Sequence, residues 1–235
     1  MRLEIDLIGI VVPAHNEEAL IRRCLTSLVT ASHHESLHGE PVKIYVVLDA
    51  CTDSSGAIAR SLGVQTLPIS AKNVGQARHV GAQAALKDGA RWLAFTDADT
   101  VVCPNWLVNQ LALKADAVCG TVGVEDWGIY GERMQRHFSM VYQDKNGHSH
   151  IHGANLGVSA WAYRHVGGFQ SLQTSEDVAL VKALTDAGVN VAWSCAPRVM
   201  TSVRADFRAP LGFGAALQTI ELTQSWAGNT SAALM

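Results

Sequence analysis

The chain lacks a long hydrophobic run, paired cysteines and an excess of positive charge, and each absence removes a class of protein. No stretch approaches the roughly 20 uninterrupted apolar residues that a membrane span requires. The five cysteines, at positions 24, 51, 103, 119 and 195, are odd in number and include no C-x-x-C pair. That pattern argues against a disulfide framework or a zinc site and makes a reducing, cytoplasmic setting the default. A formal net charge of −3 offers no footprint for nucleic acid. The charged fraction of 17% against 48% hydrophobic argues against disorder. Glu4 and Asp6 fall where a signal peptide needs its apolar core. No G-x-G-x-x-G follows the first apolar segment, which disfavours a dinucleotide-dependent dehydrogenase. With no internal repeat or low-complexity linker, the 235 residues read as one α/β domain with a sizeable core.

What is present alternates strand with helix. Residues 7–12 predict a buried strand ending at Pro13. Asn16, followed by Glu17 and Glu18, predicts a helix N-cap with acidic residues favoured by the dipole. Leu20, Ile21, Cys24, Leu25, Leu28 and Val29 then share one helical face. Residues 42–48 and 64–69 are the next strands, separated by a short helix capped by Asp53. Residues 73–87 are helical with Gly89 as the stop, and 91–96 form the fourth strand. Short loops between these elements imply a mostly parallel central sheet flanked by helices. Further on, helices are expected over 104–114 and 130–144, the second with Met134, Phe138, Val141 and Tyr142 on one side. A strand is expected over 117–124. Ser175 with Glu176 and Asp177 caps a helix over 178–187, and 189–193 is a last strand.

Asp97-Ala98-Asp99 closes the apolar run Trp92-Leu93-Ala94-Phe95. Two carboxylates therefore sit at the carboxyl end of a strand, where α/β sheets bind ligands. Oxygen donors at that spacing suit a hard divalent cation, which can in turn hold a diphosphate. Taken alone the pair also reads as a solvated turn. Three further loops converge on the same edge of the sheet. Pro13-Ala14-His15-Asn16-Glu17 follows the first strand, Asp49-Ala50-Cys51-Thr52-Asp53 the second, and Lys72-Asn73-Val74-Gly75-Gln76-Ala77-Arg78 the third. The ordered series P-x-x-N-E, D-x-x-x-D, N-x-G-x-A-R, D-x-D and later E-D resembles the family 2 glycosyltransferases, which have the GT-A nucleotide-sugar-binding fold. The resemblance covers nearly the whole chain. It implies a single glycosyltransferase domain over 1–235, with a nucleotide-binding half over about 1–102 and an acceptor-side half over about 103–235.

The resemblance also implies a nucleoside-diphosphate-sugar donor, a UDP-sugar being favoured, an acceptor hydroxyl of unknown identity, and a divalent Mn2+ or Mg2+. Its donor-binding residues map onto Pro13, His15, Asn16, Glu17, Asp49, Asn73, Gly75, Arg78, Asp97 and Ala98. Asp49 would accept from the N3–H of uracil, with a turn aspartate as the alternative. Glu17 would reach a ribose or base edge, although dipole complementarity also explains it. Arg78 is expected either at the donor phosphates or in a surface ion pair with a carboxylate. Asp97 would lie near the ribose and metal, and Asp99 would ligate the metal. Asp177 would be the general base that takes the acceptor proton, inverting the anomeric configuration, with Glu176 beside it. An ordinary helix start explains the same pair. Gly153, Ala154 and Asn155 would line the donor-sugar pocket, and Gly167-Gly168-Phe169 would turn beneath the acceptor.

His148, His150 and His152 alternate, but no carboxylate or cysteine at ligand spacing joins them, so a polar acceptor-side loop is expected rather than zinc. No Q-x-x-R-W motif occurs and no histidine follows Asp177, which disfavours a processive polymerase and a tail histidine as metal ligand. Arg204 and Arg208 fall where relatives carry diphosphate-binding bases. The apolar tail over 209–220 packs, or touches a partner or membrane surface. A sugar-phosphate nucleotidyltransferase would need a glycine-rich basic loop after the first strand, where this chain has Pro13 to Glu17. A non-catalytic nucleotide-sugar binder is the remaining rival, and it would have no use for Asp177.

Overall fold

The computed structural model describes residues 7–128 and 131–202. In chain order the elements are β1 (Leu7–Ala14), α1 (Ile21–Ser32), β2 (Val42–Asp49), α2 (Ser55–Ser61), β3 (Gln65–Ile69), α3 (Val74–Lys87), β4 (Ala90–Phe95), β5 (Thr100–Val102), α4 (Trp106–Ala112), β6 (Ala117–Val124), α5 (Gly131–Val141), β7 (Leu156–Ser159), α6 (Ala160–His165), α7 (Glu176–Asp186) and β8 (Val191–Thr201). The eight strands form one sheet in the order β3-β2-β1-β4-β7-β6-β8-β5. β1 pairs parallel with β2 and β4, and β2 with β3. Strand order reverses at β1, so the carboxyl ends of β1 and β4 stand at the switch point where such sheets bind ligands. The later strands pair antiparallel: β7 with β4 and β6, and β5 with β8.

Burial explains the strands. Six consecutive residues of β1 and the last six of β2 are buried, as expected of strands covered on both faces. α3 lies on this region through small side chains, with Ala77, Gly81, Ala82 and Ala85 all buried. Its N-cap Asn73 accepts from Gln76 N at 2.8 Å, and Gly89 at φ +96° follows its end. The main core joins Leu7, Val11, Tyr45, Leu93 and Phe95 to Leu156, Tyr163, Phe169, Leu180 and Leu184.

Two helix starts differ from expectation. α1 begins at Ile21, four residues later than an Asn16 cap predicts, with Leu20 at its N-cap and no acidic residue in its first turn. Asn16 adopts φ +54° and gives its side chain to another loop, so the turn formed by Glu17 with Leu20 and Ile21 comes before the helix. α7 begins at Glu176, and Ser175, at φ +60°, makes no side-chain cap bond. In that left-handed backbone the serine cannot take the extended conformation of a capping residue.

Of the described residues, 7–123 and 144–201 form one compact unit, and 124–128 with 131–143 and 202 belong to a second. Within the second, Trp127, Met134 and Phe138 cluster with Val124 and Tyr142, and Phe138 stacks on Tyr142 at 4.5 Å. Val141, expected on this face, is 52% exposed. No helix among the described residues is long and apolar enough to cross a membrane. Arg204, Arg208 and the apolar tail lie outside the described residues.

Candidate active site

The loop after β1 is tied to the loop after β2. His15 Nδ1 lies 2.6 Å from the Asp49 carbonyl, Thr52 N donates to Asn16 Oδ1 at 2.8 Å, and Glu17 N donates to Ser55 Oγ at 2.7 Å. Asp53 accepts from Glu18 N at 2.9 Å and from Ser55 N at 3.0 Å. These bonds hold its carboxyl below the usual carboxylate range, and they make Asp53 a structural residue at the start of α2, as its position suggests. Pro13 lies inside β1, opposite Val47. Asp49 is buried and accepts three backbone N–H bonds, from Ala71, Lys72 and Asn73 at 2.7, 2.8 and 2.8 Å. Its carboxylate thus organises the loop that leads into α3, a role that sequence position alone does not reveal.

Asn73 is likewise occupied, capping α3 and donating through Nδ2 to the Leu172 carbonyl at 2.8 Å. A Cβ at Gly75 would collide with the Gln170 carbonyl and crowd Glu176, so glycine is needed for this close approach. Arg78 departs furthest from expectation. It is neither at an open phosphate site nor in a surface pair, but buried at 3% exposure. Its Nη2 donates to Asp97 Oδ1 at 2.6 Å and its Nη1 pairs with Glu176 Oε1. The guanidinium lies 5.7 Å above the Phe169 ring, and a Cβ at Gly153 would meet its Cζ at 2.5 Å.

Asp97 and Asp99 extend from the end of β4, with the Ala98 methyl buried between them. Cys24 of α1 donates its thiol to the Asp97 carbonyl at 3.3 Å. Burial raises the Asp97 carboxyl to about 6 against the pull of Arg78, with Asp99 pushing the same way as burial. The other carboxylate pair starts α7. Glu176 is buried on Arg78, while the half-buried Asp177 accepts from Gly153 N at 2.7 Å and from Val178 N at 2.8 Å.

Gly153 therefore positions Asp177, and Ala154 is buried beside it. Asn155, expected to line a sugar pocket, is fully buried instead. Its Oδ1 accepts from Trp106 Nε1 at 2.9 Å and its Nδ2 donates to the carbonyls of Thr121 and Pro197. Every polar atom of that side chain is spent joining α4, β6 and β8. The histidines stack in a column, His148 on His150 at 5.4 Å and His150 on His152 at 5.9 Å. Burial, with help from His150, holds the His152 imidazole down at about 4.

The model of glycosyl transferase family 2 matches residues 9–169, more than half of the chain and all four loops at the parallel edge. The chain belongs to this family. No curated protein matches it significantly in sequence. Among solved structures, S. aureus TarS 1–349 with UDP-GlcNAc superimposes at a TM-score of 0.68 and 14% identity, covering 88% of this chain and 61% of that one. A mannosyltransferase of Pyrobaculum calidifontis with GDP-Man and Mn2+ gives 0.63 and 16%, covering 85% and 57%. GalNAc-T7 with UDP, GalNAc and Mn2+ gives 0.64 and 16%, covering 88% and 46%. The family 2 chain thus shares the GT-A fold of these enzymes while spanning about three-fifths of the TarS fragment.

Among the described residues no group of three or more metal-ligating side chains converges. The donor set at the end of β4 nevertheless suits a hard cation. Asp97, Glu176 and Asp177 all act on the single Arg78 guanidinium, and Asp99 adds a further carboxylate next to Asp97. Mg2+ and Mn2+ sites of this kind use one or two carboxylates and complete their shell with water and substrate phosphate.

Proposed function

We propose that the chain is a metal-dependent, inverting glycosyltransferase that moves a sugar from a nucleoside-diphosphate donor to an acceptor hydroxyl. One observation carries the reading: the D-x-D carboxylate Asp97 and the E-D carboxylate Glu176 meet on one buried guanidinium. That meeting puts the donor edge of the sheet next to Asp177. The donor diphosphate is assigned to the carboxyl ends of β1 and β4, with the base beside the loop that Asp49 orders. A carboxylate bonded by three N–H groups keeps capacity for one more donor, and the N3–H of a uracil fits that place, so a UDP-sugar is the first donor to test.

Asp177 is half-buried and fixed by Gly153, which suits a base that must meet one acceptor hydroxyl. The acceptor oxygen attacks the anomeric carbon while its proton passes to an Asp177 oxygen. The bond to the diphosphate breaks on the opposite face and its electron pair leaves with the phosphate. Asp99, with Asp97 beside it, would hold a divalent cation, whose charge when bound would oppose the charge growing on the departing diphosphate. The five cysteines are all free thiols, which suits a cytoplasmic setting.

Calorimetry with UDP and GDP, each with and without Mn2+, tests the donor and metal. UDP should bind more tightly with Mn2+, and Asp99→Ala should abolish that gain without lowering the melting temperature. Equal affinity for UDP in the presence and absence of metal counts against the proposal.

A further inference from the structure

We infer that Arg78 is a positioning residue that couples the metal and donor end of the site to the base end by sharing one charge between Asp97 and Glu176. The inference rests on the function proposed above and goes beyond it. In place of a contact to the donor phosphates, it assigns Arg78 an exchange between two motifs of the chain itself.

The geometry leaves Arg78 little else to do. Its side chain is only 4% exposed. One terminal nitrogen serves Asp97, at the end of β4, and the other serves Glu176, the first residue of α7. Its Nε is buried without a hydrogen-bond partner. Phe169 covers one face of the guanidinium, and a Cβ at Gly153 would fall 2.5 Å from its Cζ. An arginine serving a diphosphate would turn its fork outward, whereas this fork is closed on protein carboxylates.

The single positive charge of Arg78 is shared between the half-buried Asp97 and the buried Glu176, so drawing on one arm alters the field at the other. A divalent cation held by Asp99 beside Asp97 would compete with Arg78 for the Asp97 charge, and the guanidinium field would then fall more on Glu176. That residue is covalently next to Asp177, and Asp177 is held by the N–H of Gly153, the residue packed against the guanidinium. Occupancy at the donor end is thereby felt at the base without a backbone movement. Linkage requires the converse as well, so changes at Glu176 must alter metal affinity at Asp99.

Signs follow that separate this role from a phosphate contact. Arg78→Met removes a cation from an acidic cluster and should tighten Mn2+ binding several-fold, whereas loss of a phosphate ligand would leave Mn2+ affinity unchanged and weaken UDP. Glu176→Gln releases the guanidinium wholly onto Asp97 and should weaken Mn2+ several-fold. In the Arg78→Met/Glu176→Gln double variant most of the Glu176→Gln effect should vanish, because the connecting charge is gone.

The measurement is a Mn2+ titration of wild type and the three variants, read as free Mn2+ by electron paramagnetic resonance, with UDP affinity by calorimetry. Melts by circular dichroism confirm folding. Where Arg78→Met does not fold, Arg78→Lys completes the same cycle: it keeps the charge but not the two-armed fork, so the Glu176→Gln effect should shrink rather than vanish. Equal effects of Glu176→Gln in both backgrounds, with wild type binding Mn2+ and UDP normally, overturn the coupling alone. A wild-type protein that binds neither Mn2+ nor UDP overturns the proposed function and the coupling with it.

Discussion

At the scale of single residues, the motifs were legible as positions and much less so as roles. Asp97, Asp99, Glu176 and Asp177 stand out by type and order. The charges of Asp97, Glu176 and Asp177 meet because β4 and α7 deliver them to the same guanidinium, which spacing along the chain does not encode. Asp49 shows the opposite case. Its place after a strand suggests a base contact, yet three N–H donors from residues 71–73 already surround it. Asp49→Ala should therefore cost stability as well as nucleotide affinity. Three part-buried N–H groups lose an ionised acceptor, so a loss of at least about 1 kcal/mol is expected in urea unfolding. A change below about 0.5 kcal/mol would return Asp49 to a purely ligand-facing role. For Asp177 the expectation is kinetic. Asp177→Asn keeps an oxygen for the Gly153 N–H, so UDP should bind as in wild type while turnover falls ~100-fold or more. Retained turnover in a transfer assay would place the base elsewhere.

At the scale of elements, periodicity located the first four strands and α3 to within a residue or two, because β1, β2 and β4 are buried runs and α3 is a small-residue face with a clear stop. β7 and α6 were not visible in advance. Leu156 to Ser159 is only four residues long, and Ala160 to His165 six, too short for either period to register. The signal that did exist was Asn155, a buried polar residue just before β7. Its amide joins Trp106 of α4, Thr121 of β6 and Pro197 of β8, so it acts as a staple across three elements. Asn155→Ala should orphan all three partners and lower unfolding free energy by about 3 kcal/mol or more. Donor binding, measured at a temperature where the variant is folded, should persist. Selective loss of sugar-nucleotide binding with unchanged stability would restore the pocket role expected from the sequence.

At the scale of the whole molecule, proton uptake gives a global test of the histidine column. His152 titrates at about 4 in the folded protein against an ordinary value of 6.5. Between those limits the unfolded chain takes a proton that the folded chain refuses. The contribution of this residue is thus complete above pH 6.5 and is lost as the pH falls toward 4. His152→Gln should flatten the dependence of unfolding free energy on pH across that window, and an unchanged slope would show that His152 is not held neutral. The sheet itself carries a different consequence. β4 has β1 on one side, but its other neighbour is β7, which lies beyond the excursion through residues 100–155. During synthesis the outer edge of β4 stays bare until residues 156–159 have left the ribosome. All four nucleotide-side loops are already made by then, yet the strand beneath them still offers unpaired N–H and C=O groups to any neighbouring chain. A fragment ending at residue 102 would contain those loops and still be expected to aggregate, which light scattering of the refolded fragment would detect.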